Sequence, residues 1–268
     1  MLNVTMDIPE GRVTGLIGRN GAGKTTTLKS ILGLIRPTSG EVTVFGKKPT
    51  DLTSDERQQI GVALSESGFS MIFTLEDVIR VLKSCYKDFD EKDFRDKCSA
   101  QSLPFDKQIK DFSSGMKAKL RVLVAMSHKA KLLILDEPTA GLDVIARNDI
   151  LEIVRKYLDE DPMRSIVISS HISSDLEGLC DDIYMISDGK IVLHEDTDVL
   201  LGNYGLIKMS SEEFGSLDKK YIVASHEDRF SVTCLTSEKQ FYVENYPKLV
   251  IENAHIDDII VLMLGGEK

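Results

Sequence analysis

Gly18-Arg19-Asn20-Gly21-Ala22-Gly23-Lys24-Thr25 follows the apolar run 13–17 and precedes a stretch in which Leu28, Ile31, Leu32 and Ile35 recur at helical spacing. The octet fits the GxxxxGK[ST] pattern. Its glycines let successive backbone N–H groups turn inward around an anion. Lys24 adds a point charge, and the Thr25 hydroxyl can ligate a divalent cation. A helix starting there aims its partly positive N-terminus at the same anion. Strand, glycine loop and helix in that order are read as a nucleoside triphosphate cradle on an α/β sheet.

Working outward, Lys131-Leu132-Leu133-Ile134-Leu135-Asp136-Glu137-Pro138 is a continuous apolar run ending in two carboxylates. Such a run fits a central parallel strand buried on both faces, with functional residues at its C-terminal end. Ile166-Val167-Ile168 predicts a further strand that delivers Ser169, Ser170 and His171 to the same sheet edge, and residues 60–64 predict a fourth. A helical pattern over 150–158, after Asp143, completes the alternation of a doubly wound core. Residues 74–128 read as mostly helical, opening on a capping box from Thr74 to Asp77, broken at Leu103-Pro104 and resuming near Ser114. Residues 41–45 and a hairpin, Ile183-Tyr184-Met185-Ile186 returning as Lys190-Ile191-Val192-Leu193 through Asp188-Gly189, predict a small antiparallel sheet beside the core. Beyond Leu201-Gly202 the pattern predicts strands at 221–224 and 241–244 and a closing helix from about Ile256. The fold class is therefore α/β: a P-loop core with a parallel sheet, a flanking antiparallel β-subdomain, a helical insertion and a small α+β C-terminal extension. We place the P-loop domain over 1–203, with its helical subdomain inserted at about 70–128, and an accessory extension over 204–268.

The 268 residues, 42% of them hydrophobic, are enough for one large α/β domain and a smaller piece. No apolar run has the length of a membrane span, and Asp7, Pro9 and Glu10 are foreign to a secretory leader. Cys85, Cys98, Cys180 and Cys234 are scattered, without a CxxC pair, so reduced thiols and a cytoplasmic location are expected. A formal net charge of −10 argues against nucleic acid as a partner and against adsorption to anionic lipid. Work at a membrane would then require docking on another protein.

Together these residues resemble the nucleotide-binding subunit of an ABC transporter, of the bacterial exporter type, from about residue 2 to 201. The phosphate loop is followed by Arg36-Pro37-Thr38-Ser39-Gly40-Glu41 and then by Phe112-Ser113-Ser114-Gly115-Met116 at the place of the LSGGQ-like signature. Asp136-Glu137-Pro138-Thr139 follows as Walker B, Ala140-Gly141-Leu142-Asp143 as the D-loop and Ser169-Ser170-His171 as the switch region. The resemblance implies ATP and Mg²⁺ as cofactors. It puts Gly18, Asn20, Gly21, Ala22, Gly23, Lys24, Thr25 and Thr26 on the nucleotide and Thr25, Asp136 and Ser65 near the metal. Glu137, His171 and Lys24 become catalytic: Glu137 polarises a water, and His171 bridges Glu137, the γ-phosphate and a partner. Ser113 and Gly115 would close over the nucleotide of a second ATPase subunit, in a homo- or heterodimer, while a separate polytopic membrane subunit holds the pair at the inner face of the cell membrane.

The chain departs from the family pattern in three places. Phe112, Ser114 and Met116 stand where Leu, Gly and Gln are usual. Ser65 stands where the Q-loop glutamine belongs, so either a water spans the gap or the adjacent Glu66 substitutes. Residues 1–17 hold no Phe, Tyr, Trp or His to stack on adenine, and Leu2-Asn3-Val4-Thr5-Met6 resembles the second strand of the usual fold. We expect the coding frame to extend upstream. Tyr204-Gly205 and Tyr246-Pro247-Lys248-Leu249-Val250-Ile251-Glu252 loosely resemble the C-terminal extension of exporter ATPases, for which dimerisation, regulation or packing on the core are the open roles. A soluble ABC ATPase of translation or DNA maintenance is the rival reading, but the chain has neither a second cassette nor a coiled-coil insertion. A P-loop kinase leaves the signature and His171 without a use.

Overall fold

The computed structural model describes residues 4–65, 68–229 and 231–265. In chain order the first part carries β1 (Val13–Ile17), α1 (Lys24–Ile31), α2 (Ser54–Arg57), β2 (Ile60–Ala63), α3 (Leu75–Cys85), α4 (Glu91–Ala100) and α5 (Ser114–Met126). Next come β3 (Leu132–Asp136), α6 (Val144–Asp159), β4 (Ser165–Ser170), α7 (Ser173–Glu177), β5 (Asp182–Ser187), β6 (Lys190–Asp196) and α8 (Thr197–Asn203). The rest is β7 (Gly205–Met209), α9 (Ser211–Ser216), β8 (Ile222–Glu227), β9 (Val232–Thr236), α10 (Lys239–Asn245), β10 (Val250–Asn253) and α11 (Ile256–Gly265).

The main sheet has the order β2-β3-β4-β1-β5-β6, parallel except for its last strand. Every position of β1, β3 and β4 is buried, and this is why their sequences are apolar without alternation. Register aligns the strand ends: Ile17 pairs with Ser170, Asp136 with Ser169 and Ala63 with Leu135. The C-terminal ends of four strands therefore open on one edge. At Gly61 of β2 a Cβ would lie 2.1 Å from Ala125 O, so α5 rests directly on the backbone of that strand.

The helical segment forms as its caps and apolar spacing require. Thr74 and Asp77 bond reciprocally at the start of α3, whose Leu75, Val78, Ile79 and Leu82 are buried. After α4, Ser102 with φ 55 turns the chain into Leu103-Pro104, and Ser113 caps α5 by accepting from Met116 N at 3.2 Å. The segment is tied back to the sheet where His128 stacks on Tyr86 at 3.9 Å and places Nε2 3.2 Å from Ile60 O. Burial lowers the His128 imidazole below its ordinary pKa.

Several local expectations change. The first helix ends at Ile31, because Gly33 takes φ 71, so Ile35 lies beyond it and is exposed. Residues 41–45 form no strand; they contribute one isolated bridge, Val44 to Lys47, around Phe45 and Gly46, both at positive φ. The antiparallel hairpin exists as read, with Asp188 and Gly189 at φ 48 and 75, but it is stitched onto β1 through β5 and forms the edge of the main sheet. Leu2 and Asn3 lie outside the described residues. Val4 to Met6 run as irregular chain, pinned where Tyr184 Oη accepts from Asp7 N and donates to Asp7 O. The expected strand at 241–244 is the helix α10, because Tyr242 and Tyr246, one turn apart, both join the cluster that Ile207, Met209, Val232 and Cys234 form on one sheet face.

The C-terminal part is a four-stranded antiparallel sheet of order β10-β7-β9-β8. One face, with Leu206 and Leu235, shares a core with Leu200, Tyr204, Ile256, Ile259 and Leu176 of α7. The other face, with Ile207, Met209 and Cys234, is covered by Leu217 and Tyr242. Ile256 N donates to Glu177 Oε1 at 3.0 Å and seats α11 on α7. Among the described residues no helix is long and apolar enough to cross a membrane.

Gly61→Ala should push α5 off β2 and destabilise the protein by about 1–3 kcal/mol. The measurement is the denaturation midpoint in urea; a midpoint equal to wild type would show that the strand–helix spacing has slack the contacts do not reveal.

Candidate active site

The loop between β1 and α1 is shaped by close packing. A Cβ at Gly18 would sit 2.3 Å from Ile186 O, and Gly23, with φ 117, is the N-cap of α1. No side chain caps that helix and no acidic residue stands in its first turn, so its N-terminal amides present positive charge without a built-in rival for an anion. Gly189 N donates to Ala22 O at 2.9 Å, bracing the loop on the hairpin turn. Asn20, Gly21 and Thr26 are exposed around it. The Lys24 ammonium, 5% exposed, donates to Gly18 O at 2.6 Å and lies 3.0 Å from Glu137 Oε1. These features fit a bound triphosphate: glycine backbone, free helix terminus and one lysine held at the mouth.

Asp136, at the end of β3 and 1% exposed, is the point on which the elements meet. Its Oδ2 accepts from Thr25 Oγ1 at 2.9 Å and from Ser65 Oγ at 3.3 Å, and its Oδ1 accepts from Ser169 Oγ at 2.6 Å. Ser65 thus reaches Asp136 directly, with its own carbonyl held by Arg121 Nη1 at 2.9 Å. Burial lowers the Arg121 guanidinium from its ordinary pKa. Glu66, the alternative to Ser65, lies outside the described residues. Among the described residues no three His, Cys, Asp or Glu gather into a metal cage. One carboxylate and two hydroxyls suit a hard cation that completes its shell with phosphate oxygens and water.

Glu137 follows at φ 49, a left-handed backbone imposed by its surroundings: its N–H donates to Ser169 O at 3.2 Å and Ser169 Oγ at 3.0 Å. The turn sends its carboxylate sideways. Oε1 faces Lys24, while Oε2 accepts from His171 N at 3.3 Å and lies 2.6 Å from His171 Nδ1. An imidazole bonded through one nitrogen to a carboxylate is held in orientation, with its other nitrogen directed elsewhere.

The structure therefore gathers the loop 18–25, Ser65, Asp136, Glu137 and His171 about one point. Ser113 and Gly115 are placed at the head of α5, where Ser113 Oγ bonds within its own helix and a Cβ on Gly115 would come 3.1 Å from Ala146 of α6. Sequence reasoning gave Ser169 no role of its own; a hydroxyl closing a fully buried strand beside a carboxylate strand is the signal that could have found it. It also missed a buried link from Thr139 to Asp175 and Arg147, which joins residues far apart in the chain and has no local signature.

Residues 1–140 match the ABC transporter family. The lantibiotic transport ATP-binding protein SrtF of Streptococcus pyogenes is 36% identical over 198 residues, covering 73% of this chain and 84% of its own length. The ABC transporter ATP-binding protein YtrB of Bacillus subtilis (strain 168) is 30% identical over 276 aligned residues, with 99% of this chain and 93% of its own covered. The bacitracin transport ATP-binding protein BcrA of Bacillus licheniformis is 33% identical over 192 residues, 71% of this chain and 62% of its own. Among solved structures, an ATP-binding subunit of an ABC transporter superposes with a TM-score of 0.64 at 26% identity, covering 80% of this chain and 86% of that one. With the phosphate loop, Walker B carboxylates and switch histidine on one sheet edge, the chain belongs to the ABC transporter family, as one of its ATPase subunits.

Proposed function

We propose that this chain binds and hydrolyses ATP at the β1–α1 loop and powers export through a separate polytopic membrane subunit. The observation that carries the reading is the meeting of Lys24, Thr25, Asp136, Glu137 and His171 at the C-terminal edge of the sheet. Residues 18–26 bind the phosphates, with Lys24 exchanging Gly18 O for a phosphate oxygen. Thr25, Asp136 and Ser65 hold Mg²⁺, which when bound neutralises charge on the phosphate oxygens. Glu137 orients and polarises the attacking water, and His171 fixes which way its carboxylate points.

One loop and one signature per chain imply a second ATPase subunit. Ser113 and Gly115 sit at the head of α5 and would close over the nucleotide of that mate. Val144 and Ile145, 68% and 76% exposed at the start of α6, offer apolar area next to Ala146, which faces Gly115 at the head of α5. A groove of about 480 Å³ lined by Phe69, Met71, Ile109, Leu120 and Leu142 suits an apolar element of the membrane subunit, through which the protein is held on the cytoplasmic face of the membrane. Residues 1–203 act as the ATPase domain, with 70–128 as its helical subdomain, and 204–268 as an accessory extension. The transport proteins among the relatives favour this reading over a soluble role in translation or DNA maintenance.

Lys24→Ala should abolish hydrolysis and weaken nucleotide binding, measured as phosphate release and by titration with a fluorescent ATP analogue; wild-type turnover would place the site elsewhere. Glu137→Gln should lower turnover by about 10²- to 10⁴-fold and leave an ATP-bound dimer on size-exclusion chromatography, whereas a fully active monomer refutes the role of the carboxylate. Ser113→Arg should stop turnover while the monomer keeps its affinity for ATP, and a large loss of that affinity would contradict action across the subunit boundary.

A further inference from the structure

Beyond the site residues, one buried polar link stands out. Asp175, in α7, is 0% exposed and is engaged from two sides: Thr139 Oγ1 donates to its Oδ2 at 2.6 Å, and Arg147 Nε lies 2.7 Å from its Oδ1. Thr139 is itself buried and follows Glu137 by two residues along the turn closed by Ala140 N donating to Glu137 O at 3.2 Å. Arg147 belongs to the first turn of α6 and also donates from Nη2 to Ser174 Oγ at 2.8 Å. A buried carboxylate held this way is costly to disturb, because loss of one partner leaves the other polar groups without compensation.

These contacts close a ring. It runs along the chain from Glu137 to Thr139, crosses by the hydroxyl–carboxylate bond to Asp175, returns along the chain to His171, and closes where His171 Nδ1 meets Glu137 Oε2 at 2.6 Å. Two of its corners are the carboxylate and imidazole at the reacting centre, and the opposite two do not touch that centre. Glu137 keeps a φ of 49, a backbone that persists only where both flanks are held: its N–H by Ser169, and its O by Ala140 N across the turn that carries Thr139.

We propose that Asp175 and Thr139 are positioning residues for ATP hydrolysis, fixing the separation and aim of Glu137 and His171, with Arg147 holding Asp175 in place from α6. The inference rests on the reading that Glu137 orients the attacking water. Misplacing a reacting group by about 1 Å costs up to about 10²-fold in rate without touching substrate affinity. The signature of this role is thus a loss in kcat with KM preserved, which general loosening of the fold does not produce.

The test compares full-length Thr139→Val, Thr139→Ser, Asp175→Asn and the Thr139→Val/Asp175→Asn double variant with wild type for kcat and KM in steady-state ATP hydrolysis, with Glu137→Gln run alongside. Thr139→Val keeps the shape and removes only the hydroxyl; it should lose about 10- to 100-fold in kcat with KM for ATP within about threefold of wild type. Thr139→Ser restores the hydroxyl and should recover kcat. Asp175→Asn should lose kcat in the same sense, and the double variant should be no slower than the slower single, because both changes open the same ring. Thr139→Val with wild-type kcat, Thr139→Ser as slow as Thr139→Val, or losses that multiply in the double variant would each overturn the proposal. If Glu137→Gln is inactive while Thr139→Val is fully active, positioning alone fails. If Glu137→Gln turns over at the wild-type rate, the water-orienting role fails with it.

Discussion

A carboxylate closed off from water at the end of a central strand has to be satisfied by its neighbours, and at Asp136 three hydroxyls do so from three different directions. Thr25 comes from the helix behind the phosphate loop, Ser65 from the exit of β2 and Ser169 from β4. The cost of leaving that carboxylate unpartnered couples the positions of all four segments. The parallel register does the coarse work by bringing the strand ends level, and the hydroxyls set the fine positions. Glu137, the next residue along, is placed from this point, and Lys24 and His171 meet Glu137 in turn.

Around it the polar contacts fall into two tiers. In one, the buried Lys24 ammonium meets the more open pair of Glu137 and His171, and their pairing with each other can be exchanged for pairing with a phosphate. Asp136, Ser169, Thr139 and Asp175 lie on the closed side, where burial makes exchange expensive. A rigid inner tier beneath a replaceable outer one lets the site admit an anion without losing the geometry on which the chemistry depends.

Much of this was legible from residue order. The runs at 13–17 and 131–136 name central strands because a parallel sheet with both faces covered tolerates few polar residues. Asp188-Gly189 names a hairpin because both positions need positive φ, and Thr74 with Asp77 names a helix start because the two side chains cap each other. What escaped depends on partners distant in sequence. Residues 241–244 look like a strand because a short apolar run carries no period of its own; α10 forms because Tyr242 finds a pocket on the second sheet and donates to Asp218 O at 2.7 Å. Residues 41–45 alternate like a strand, yet only Val44 pairs. Asp175 carries no motif, and Ser169 reads only as part of the run leading to His171, because their roles are defined by Thr139 and Asp136, both more than thirty residues away.

The seat of α11 on α7 bears on how the polypeptide is made. The contact between Ile256 and Glu177 spans 79 residues. At ribosomal speeds of about 5–20 residues per second, the outer face of α7 waits roughly 4–16 s for the helix that covers it. During that interval the face of α7 that α11 covers is bare, while β5, β6 and the strands of the second sheet are still being made. The helix α11 thus seals the exposed side of α7, and a nascent chain stalled or clipped before it would present that surface to chaperones and proteases.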